Sequence, residues 1–295
     1  MRKRFVRTIE ELLAEDPRLM VLLGDIGAFG FRRAIEAHAG RILNVGILEG
    51  SSVSLAAGLS MEGFVPVFHT IAPFMVERAF EQLKDDFCYQ RVGGNFVSVG
   101  ASYDYSGLGC THHAPGDVPA LRNLPGMEIV VPGAPAEFDA LFRQAYANGR
   151  PTYFRLSERV NVAERAVTFG RALRVREGRR ATIVAFGPLL DPALAAAETF
   201  DVSVLYYTTA APFDAASLRE NCPSRTVLLV EPWYVGSLAN EVLAALGDGP
   251  VRLRCVGVPR HFLTDYGTPA EHDAAIGLTA EGIQSQLASL LEDGR

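Results

Sequence analysis

Glu49 is the side chain of this sequence whose surroundings best suit proton chemistry. It lies in a run of glycines and small apolar residues that begins near Asn44, so we expect its carboxylate to be partly buried. A buried carboxylate is able to hold a proton or share one with a ring nitrogen. Phe74 follows a strand-like run, Phe64 to Thr70, and an aromatic side chain at that place is able to stack on the same ring.

Spacing alone leaves a structural role open for both residues. Glu49 precedes the sequence SSVSLAAGLS and also suits the first turn of a helix, where the helix dipole favours a carboxylate. Phe74 also suits an ordinary core position.

The same stretch resembles the pyrimidine-binding domain of the transketolase family of thiamine diphosphate enzymes. Gly46, Ile47 and Glu49 match the family's Gly-Ile-x-Glu motif, and Thr70 with Phe74 matches its Thr-x-x-x-Phe run. The family's Arg-Ala-aromatic-Asp-Gln run has its counterpart in the sequence RAFEQ.

The resemblance continues downstream of these motifs. The sequence THHAPGDVPALRNLPGM matches the family's Thr-His-Gln block and its Leu-Arg-x-x-Pro-x-Met continuation. The register holds without gaps from Pro66 to Pro132, which is far more specific than a single short motif.

The resemblance implies roles for particular residues. Glu49 is the expected catalytic glutamate that contacts the aminopyrimidine of thiamine diphosphate, and His112 is the expected active-site histidine. Phe74 would stack on the aminopyrimidine, Ile71 would flank it, and Asp25 would lie near the cofactor after the first strand.

Composition and charge exclude several classes of protein. The chain has 295 residues, 48% of them hydrophobic and 21% charged, with a net charge of -6. A net negative charge without a basic stripe argues against nucleic-acid binding. The sequence has no apolar run long enough to span a membrane, and its amphipathic start is not typical of a signal peptide, so we expect a cytoplasmic protein. The four cysteines form no CxxC pair, so no metal site is predicted.

Strand-like apolar runs alternate with helical segments through the first half of the chain. This alternation predicts an α/β fold with a doubly wound parallel sheet. Four further strand-like runs predict a smaller C-terminal α/β domain, and a charged, weakly periodic segment between them predicts a linker. The predicted division is 1–157 for the pyrimidine-binding domain, 158–178 for the linker and 179–295 for the C-terminal domain.

The diphosphate-binding half of a transketolase is not recognisable in the sequence. In the family, Gly-Asp-Gly and a later asparagine complete a magnesium site on the diphosphate. The Gly-Asp-Gly of this chain starts at Gly247, has no asparagine after it and is predicted to be a turn. The resemblance therefore implies a partner subunit that binds Mg2+ and the diphosphate, in a heterotetramer with two copies of each chain.

Three positions depart from the family's sugar-phosphate contacts. Gly100 replaces a histidine, Leu108 replaces an aspartate, and Glu158 replaces an arginine, although Arg159 is adjacent. His113 replaces the glutamine of the Thr-His-Gln block and is a candidate polar contact in the substrate pocket. A phosphate favours Arg and His donors, so these changes predict a different substrate.

Three functions are compatible with the sequence. The favoured one is a subunit of a two-component, thiamine diphosphate-dependent transketolase-like transferase, which moves a two-carbon ketol or acyl unit to a small-molecule or carrier-bound acceptor in specialised biosynthesis. The second is the beta subunit of a 2-oxoacid dehydrogenase-type first component. The third is a non-catalytic scaffold that retains the fold.

Overall fold

A computed structural model describes residues 1–292 of the chain. The first half alternates strands and helices as the sequence predicts. Its elements are α1 (Arg2–Glu15), β1 (Leu19–Leu23), α2 (Ala28–Ala37), β2 (Ile42–Asn44), α3 (Glu49–Met61), β3 (Val65–Ile71), α4 (Phe80–Gln82), β4 (Gly94–Val99), α5 (Asp117–Leu121), β5 (Glu128–Val130), α6 (Pro135–Ala145) and β6 (Pro151–Arg155).

The second half contains a second set of strands and helices. These are β7 (Leu173–Arg176), β8 (Thr182–Phe186), α7 (Leu190–Ala197), β9 (Ser203–Tyr207), β10 (Thr209–Ala211), α8 (Ala215–Asn221), β11 (Thr226–Tyr234), α9 (Ala239–Leu246), β12 (Arg252–Val258), α10 (Pro269–Ile276) and α11 (Ala280–Glu292).

The first sheet has seven strands in the order β10-β5-β6-β4-β3-β1-β2. All neighbours in it are parallel except β10, which pairs antiparallel with β5. Strands β1, β4 and β6 are buried along their whole length, as expected for a sheet covered by helices on both faces. The predicted doubly wound α/β fold is confirmed.

The two faces of the first sheet carry separate apolar layers. One layer includes Phe5 of α1, Phe31 of α2 and Phe138 of α6. The other includes Val53 of α3 and Phe87, and it continues into the second half of the chain. Packing on both faces fixes the sheet, so the loops at its edges start from a rigid base.

The second sheet has the order β12-β11-β8-β9-β7, with β7 antiparallel to β9 and the other neighbours parallel. The smaller C-terminal α/β domain is confirmed. The segment predicted as a linker, 158–178, contains β7. Strand β7 lies at the edge of the sheet and its residues are at most partly buried. Its sequence, LRVR, therefore contains two arginines and lacks the apolar run by which a buried strand is recognised.

The segment from Phe74 to Tyr89 is not one regular α-helix. Phe74–Arg78 and Leu83–Tyr89 are π-helical, and the short α4 lies between them. Such wider turns are rare and occur frequently at functional sites.

The carboxyl ends of the parallel strands meet at one edge of the first sheet, the usual place for a ligand site in such folds. There β1 leads to Asp25, β2 to Glu49, β3 to Phe74, β4 to Gly100 and β6 to Glu158. Topology therefore gathers residues that are far apart in sequence.

Candidate functional site

Glu49 is the first residue of α3, and its side chain is only 3% exposed. The Arg78 guanidinium donates from Nη1 to Glu49 Oε2 across 3.2 Å. The second carboxylate oxygen, Oε1, is buried and has no hydrogen-bond partner among residues 1–292. A buried polar atom without a partner is costly, so this oxygen is suited to bind a donor on a ligand.

Arg78 contacts both Phe74 and Glu49. The Arg78 guanidinium carbon is 3.9 Å from the centre of the Phe74 ring. The His112 ring meets Phe74 at an angle of 70°, with 5.2 Å between ring centres. Contacts thus run from Glu49 through Arg78 to Phe74 and from Phe74 to His112, and the roles of the three predicted site residues stay predictions.

His112 ends a short 3-10 turn, Cys110–His112, in the loop that precedes α5. Its Nδ1 lies 3.0 Å from Thr111 Oγ1, which orients the ring. The imidazole is partly exposed next to Phe74, so it is accessible to a substrate that reaches the aromatic ring.

Asp25 and Ile71 lie at the same sheet edge but have other neighbours. Asp25 is exposed and exchanges hydrogen bonds with Asn44, each of 3.2 Å. Ile71 ends β3 and lies against Gly100, where an added Cβ would come within 3.2 Å of Ile71 Cγ2. Neither residue has a hydrogen bond to Glu49 in the described part of the chain, so their roles toward a cofactor stay predictions.

Gly100 and Glu158 line one cavity of about 610 Å³. Gly100 has a φ of +78°, and a Cβ there would lie 2.6 Å from the Tyr105 ring. A histidine at this position would be disfavoured by the left-handed backbone and would clash with the Tyr105 ring. The Tyr105 ring also lines the cavity.

The other two predicted pocket residues lie outside this cavity. Leu108 is in the 3-10 turn Ser106–Leu108 and is 56% exposed. His113 is 6% exposed, and its ring lies against His272 with 5.7 Å between centres. Burial and the nearby His272 lower the pKa of His113. His113 therefore faces the C-terminal half of the chain instead of the cavity.

The start of α1 contributes positive charge to the same cavity. Its basic side chains there are Arg2, Lys3, Arg4 and Arg7. Arg4 is paired with Asp139 at 2.6 Å and Arg7 with Glu11 at 3.0 Å. Within residues 1–292, Arg2 and Lys3 have no ion-pair partner.

Arg159, the cation next to Glu158, does not line the cavity. Its Nη1 donates to Asp273 Oδ2 across 2.8 Å. The guanidinium is therefore engaged with α10 and does not replace the arginine missing at position 158.

The Gly-Asp-Gly sequence lies in the loop between α9 and β12. Arg225 donates hydrogen bonds to the carbonyl oxygens of Gly247 and Gly249, so the segment is a structural turn. Over residues 1–292, no group of three or more His, Cys, Asp or Glu side chains is arranged to hold a metal ion. In that range, no helix has the length and apolarity needed to cross a membrane.

Two family models match the chain. The pyrimidine-binding domain of transketolase matches residues 1–162, and the transketolase C-terminal domain matches residues 170–283. The first match ends at residue 162 and the second starts at residue 170, shortly before β7.

Full-length relatives of similar size also match. An uncharacterized 33.6 kDa protein in the fasciation locus of Rhodococcoides fascians is 40% identical over 97% of this chain and 93% of its own length. A 6-deoxy-6-sulfo-D-fructose transketolase subunit of Clostridium sp. (strain MSTE9) is 31% identical over 90% of this chain and 88% of its own length.

The fold agrees with a solved structure of a split-gene transketolase, an inactive beta4 tetramer. The two share 28% identity and superpose with a TM-score of 0.87 over 99% of this chain and 98% of the other. The matched domains, the relatives and the geometry around Glu49 agree, and the chain belongs to the transketolase family, in which it carries the pyrimidine-binding and C-terminal domains.

Proposed function

We propose that this chain is the pyrimidine-binding subunit of a two-component, thiamine diphosphate-dependent transketolase-like enzyme that transfers a two-carbon ketol or acyl unit. One observation carries the proposal: the buried carboxylate of Glu49 has an oxygen without a partner among residues 1–292, and Arg78 links this carboxylate to Phe74, whose ring contacts His112. This arrangement fits the nitrogen-bearing, planar aminopyrimidine of the cofactor.

When bound, thiamine diphosphate supplies the carbon nucleophile needed to break and form the carbon–carbon bond. Glu49 Oε1 would share a proton with a pyrimidine ring nitrogen. Because this oxygen is buried, water would not compete for the proton. Phe74 would hold the ring by stacking, with Ile71 and Asp25 close to the cofactor.

His112 is the second catalytic residue in the proposal. Its partly exposed imidazole would donate to the carbonyl oxygen of the substrate or move a proton at that atom. The contact with Thr111 and the edge-to-face contact with Phe74 would hold the imidazole in place.

A partner subunit would bind Mg2+ and the diphosphate. Two names support this proposal: the Clostridium relative is called a transketolase subunit, and the structural neighbour is the inactive beta4 tetramer of a split-gene transketolase. By analogy, we propose a heterotetramer with two copies of each chain, in which the cofactor lies between unlike subunits.

The cavity beside Gly100 and Glu158 is proposed as the substrate pocket. It combines a carboxylate with Arg2 and Lys3, which have no ion-pair partner within residues 1–292, so its charge differs from a plain phosphate site. The Clostridium relative is named for a sulfonated ketose, and this name supports a substrate other than a sugar phosphate. We propose a non-standard small-molecule or carrier-bound acceptor in specialised biosynthesis.

Reconstitution tests the proposed function. The purified chain is mixed with a chain that carries the diphosphate-binding domain, thiamine diphosphate and Mg2+, and cleavage of a ketose donor is measured. We expect turnover only when both chains are present. A folded complex that binds cofactor but leaves ketoses and 2-oxoacids unchanged would favour the scaffold.

A further inference from the structure

Arg78 contacts both residues that the cofactor ring is expected to contact. Its guanidinium carbon is 3.9 Å from the centre of the Phe74 ring, and its Nη1 is 3.2 Å from Glu49 Oε2. The Arg78 side chain is 50% exposed, whereas that of Glu49 is 3% exposed. One planar, half-exposed cation therefore joins the buried carboxylate to the face of the aromatic ring.

The Arg78 guanidinium occupies the space next to the Phe74 ring and Glu49. A guanidinium is flat, stacks on aromatic faces and offers N–H donors to a carboxylate. An aminopyrimidine is also flat, also stacks on aromatic faces, and carries N–H donors on its amino group. A ring that lay on this face of Phe74 and reached Glu49 would overlap the Arg78 guanidinium, since 3.9 Å is already a stacking distance.

The π-helical turn at Phe74–Arg78 explains why the arginine lies there. Both residues belong to this turn, and their side chains leave it toward the same side, where Glu49 begins α3. Within residues 1–292, Arg78 has no other ion-pair partner, so nothing but Phe74 and Glu49 holds its head group.

We propose that Arg78 is a resident occupant of the aminopyrimidine subsite, which the ring of the cofactor must displace. The inference rests on the proposed cofactor role of Glu49 and Phe74. While Arg78 is in place, it neutralises the buried carboxylate of Glu49. On displacement, its long side chain turns into solvent, which its present exposure allows.

Displacement lowers the apparent affinity for the ring. If the subsite is open for only a tenth of the time, binding weakens about tenfold, because the apparent Kd is the intrinsic Kd divided by the open fraction. Arg78 would therefore favour binding of the whole cofactor, which the partner also holds, over binding of a free pyrimidine.

The experiment uses the full chain and 4-amino-5-hydroxymethyl-2-methylpyrimidine, the ring without the diphosphate, so that it does not depend on a partner. Binding is measured by ligand-observed NMR titration for the wild type, Arg78→Met and Arg78→Gln. Lys84→Met is the matched control, because Lys84 is also 50% exposed and is paired with its neighbour Asp85. Circular dichroism checks that each variant is folded.

We expect both Arg78 variants to bind the ring about tenfold more tightly than the wild type, and Lys84→Met to bind like the wild type. Equal or weaker binding by folded Arg78 variants would overturn displacement and leave the cofactor site standing. If no folded variant binds the ring and Glu49→Gln changes nothing, the cofactor site itself is wrong. A crystal of the wild type soaked with the ring should show the Arg78 guanidinium away from Phe74.

Discussion

Arg155 and Asp117 form an ion pair that is almost completely buried, with side-chain exposures of 1% and 0% and 2.7 Å between Nε and Oδ2. Tyr153 also donates to Asp117 Oδ2, across 2.9 Å, and Arg155 Nη2 donates to Ser102 Oγ across 2.9 Å. Arg155 ends β6, and Asp117 begins α5 directly after the loop that carries His112. The pair therefore ties this loop to the sheet.

Replacing Arg155 tests how much this ion pair contributes to the free energy of unfolding. Arg155→Met leaves Asp117 buried without its cation, and breaking a buried pair in this way costs about 3–5 kcal/mol of the free energy of unfolding. Urea denaturation measures the loss. Arg159→Met is the control, since the Arg159–Asp273 pair is more exposed, at 32% and 15%, and should cost about 1 kcal/mol. Equal losses for the two variants would contradict the prediction.

The chain alone should bind thiamine diphosphate poorly. In the described part of the chain no cluster of side chains is arranged to hold Mg2+, and Glu49 with Phe74 contacts only the pyrimidine half in the proposal. Calorimetry with Mg2+ present should give a Kd on the order of millimolar or weaker. Micromolar binding by the isolated chain would remove the argument for a partner that completes the site.

Glu49→Gln should abolish turnover of the reconstituted enzyme and leave the fold intact. The amide has the size of the carboxyl group but does not share a proton with a ring nitrogen in the same way. Steady-state assays measure the activity, and thermal unfolding monitors the fold. Glu62→Gln, at the exposed C-terminal end of α3, is the control and should keep activity. Wild-type rates for a folded Glu49→Gln complex would overturn the proposed role.

His69 should make stability depend on pH. Its side chain is fully buried, Nδ1 donates to the Val97 carbonyl across 2.7 Å, and burial lowers the pKa to about 4 from 6.5. Because the unfolded chain takes up the proton first, this contribution is complete above pH 6.5 and is lost as the pH falls to about 4. The loss amounts to at most about 3 kcal/mol.

His69→Asn removes this titration and keeps a donor for Val97. Urea denaturation between pH 6.5 and pH 4 should show a steeper loss of stability for the wild type than for His69→Asn. His261→Asn, at an exposed position, should follow the wild type. Parallel curves for all three proteins would show that His69 does not titrate differently on folding.

The sequence predicts the fold well, for identifiable reasons. Strand β1, which is buried along its whole length, is a continuous apolar run and is easily recognised. Because parallel strands place their carboxyl ends at one edge, the motifs at Glu49 and Phe74 are expected to meet. The edge strand β7 carries two arginines and has no such signal.

The role of Arg78 could not be predicted from the sequence. In a regular α-helix Phe74 and Arg78 would be ordinary neighbours one turn apart, and nothing in the spacing indicates a π-helical turn. The burial of His113 is also not predictable from the sequence, because the His113 ring packs against His272, which lies far along the chain in α10. Contacts between the two halves of the chain have no local signature.

The last prediction concerns the substrate. Gly100, Leu108 and Glu158 are expected from the sequence at the positions of the family's sugar-phosphate contacts, and the structure places Gly100 and Glu158 in one cavity while Arg159 is paired with Asp273. Each lost charge-assisted hydrogen bond is typically worth about 1.5–3 kcal/mol, so two or three losses should lower kcat/KM for phosphorylated sugars by several orders of magnitude. Steady-state assays of the reconstituted pair would compare xylulose 5-phosphate and ribose 5-phosphate with unphosphorylated and sulfonated sugars.

A single substitution sharpens this comparison. Glu158→Arg exchanges a negative for a positive charge on the cavity wall, which Arg2 and Lys3 also line, and should raise kcat/KM for ribose 5-phosphate by about tenfold or more. Glu36→Arg makes the same charge change at an exposed position of α2, outside the cavity, and should have little effect. If the wild type already uses pentose phosphates as efficiently as ordinary transketolases, the cations of α1 replace the missing contacts, and the three substitutions do not define a different substrate.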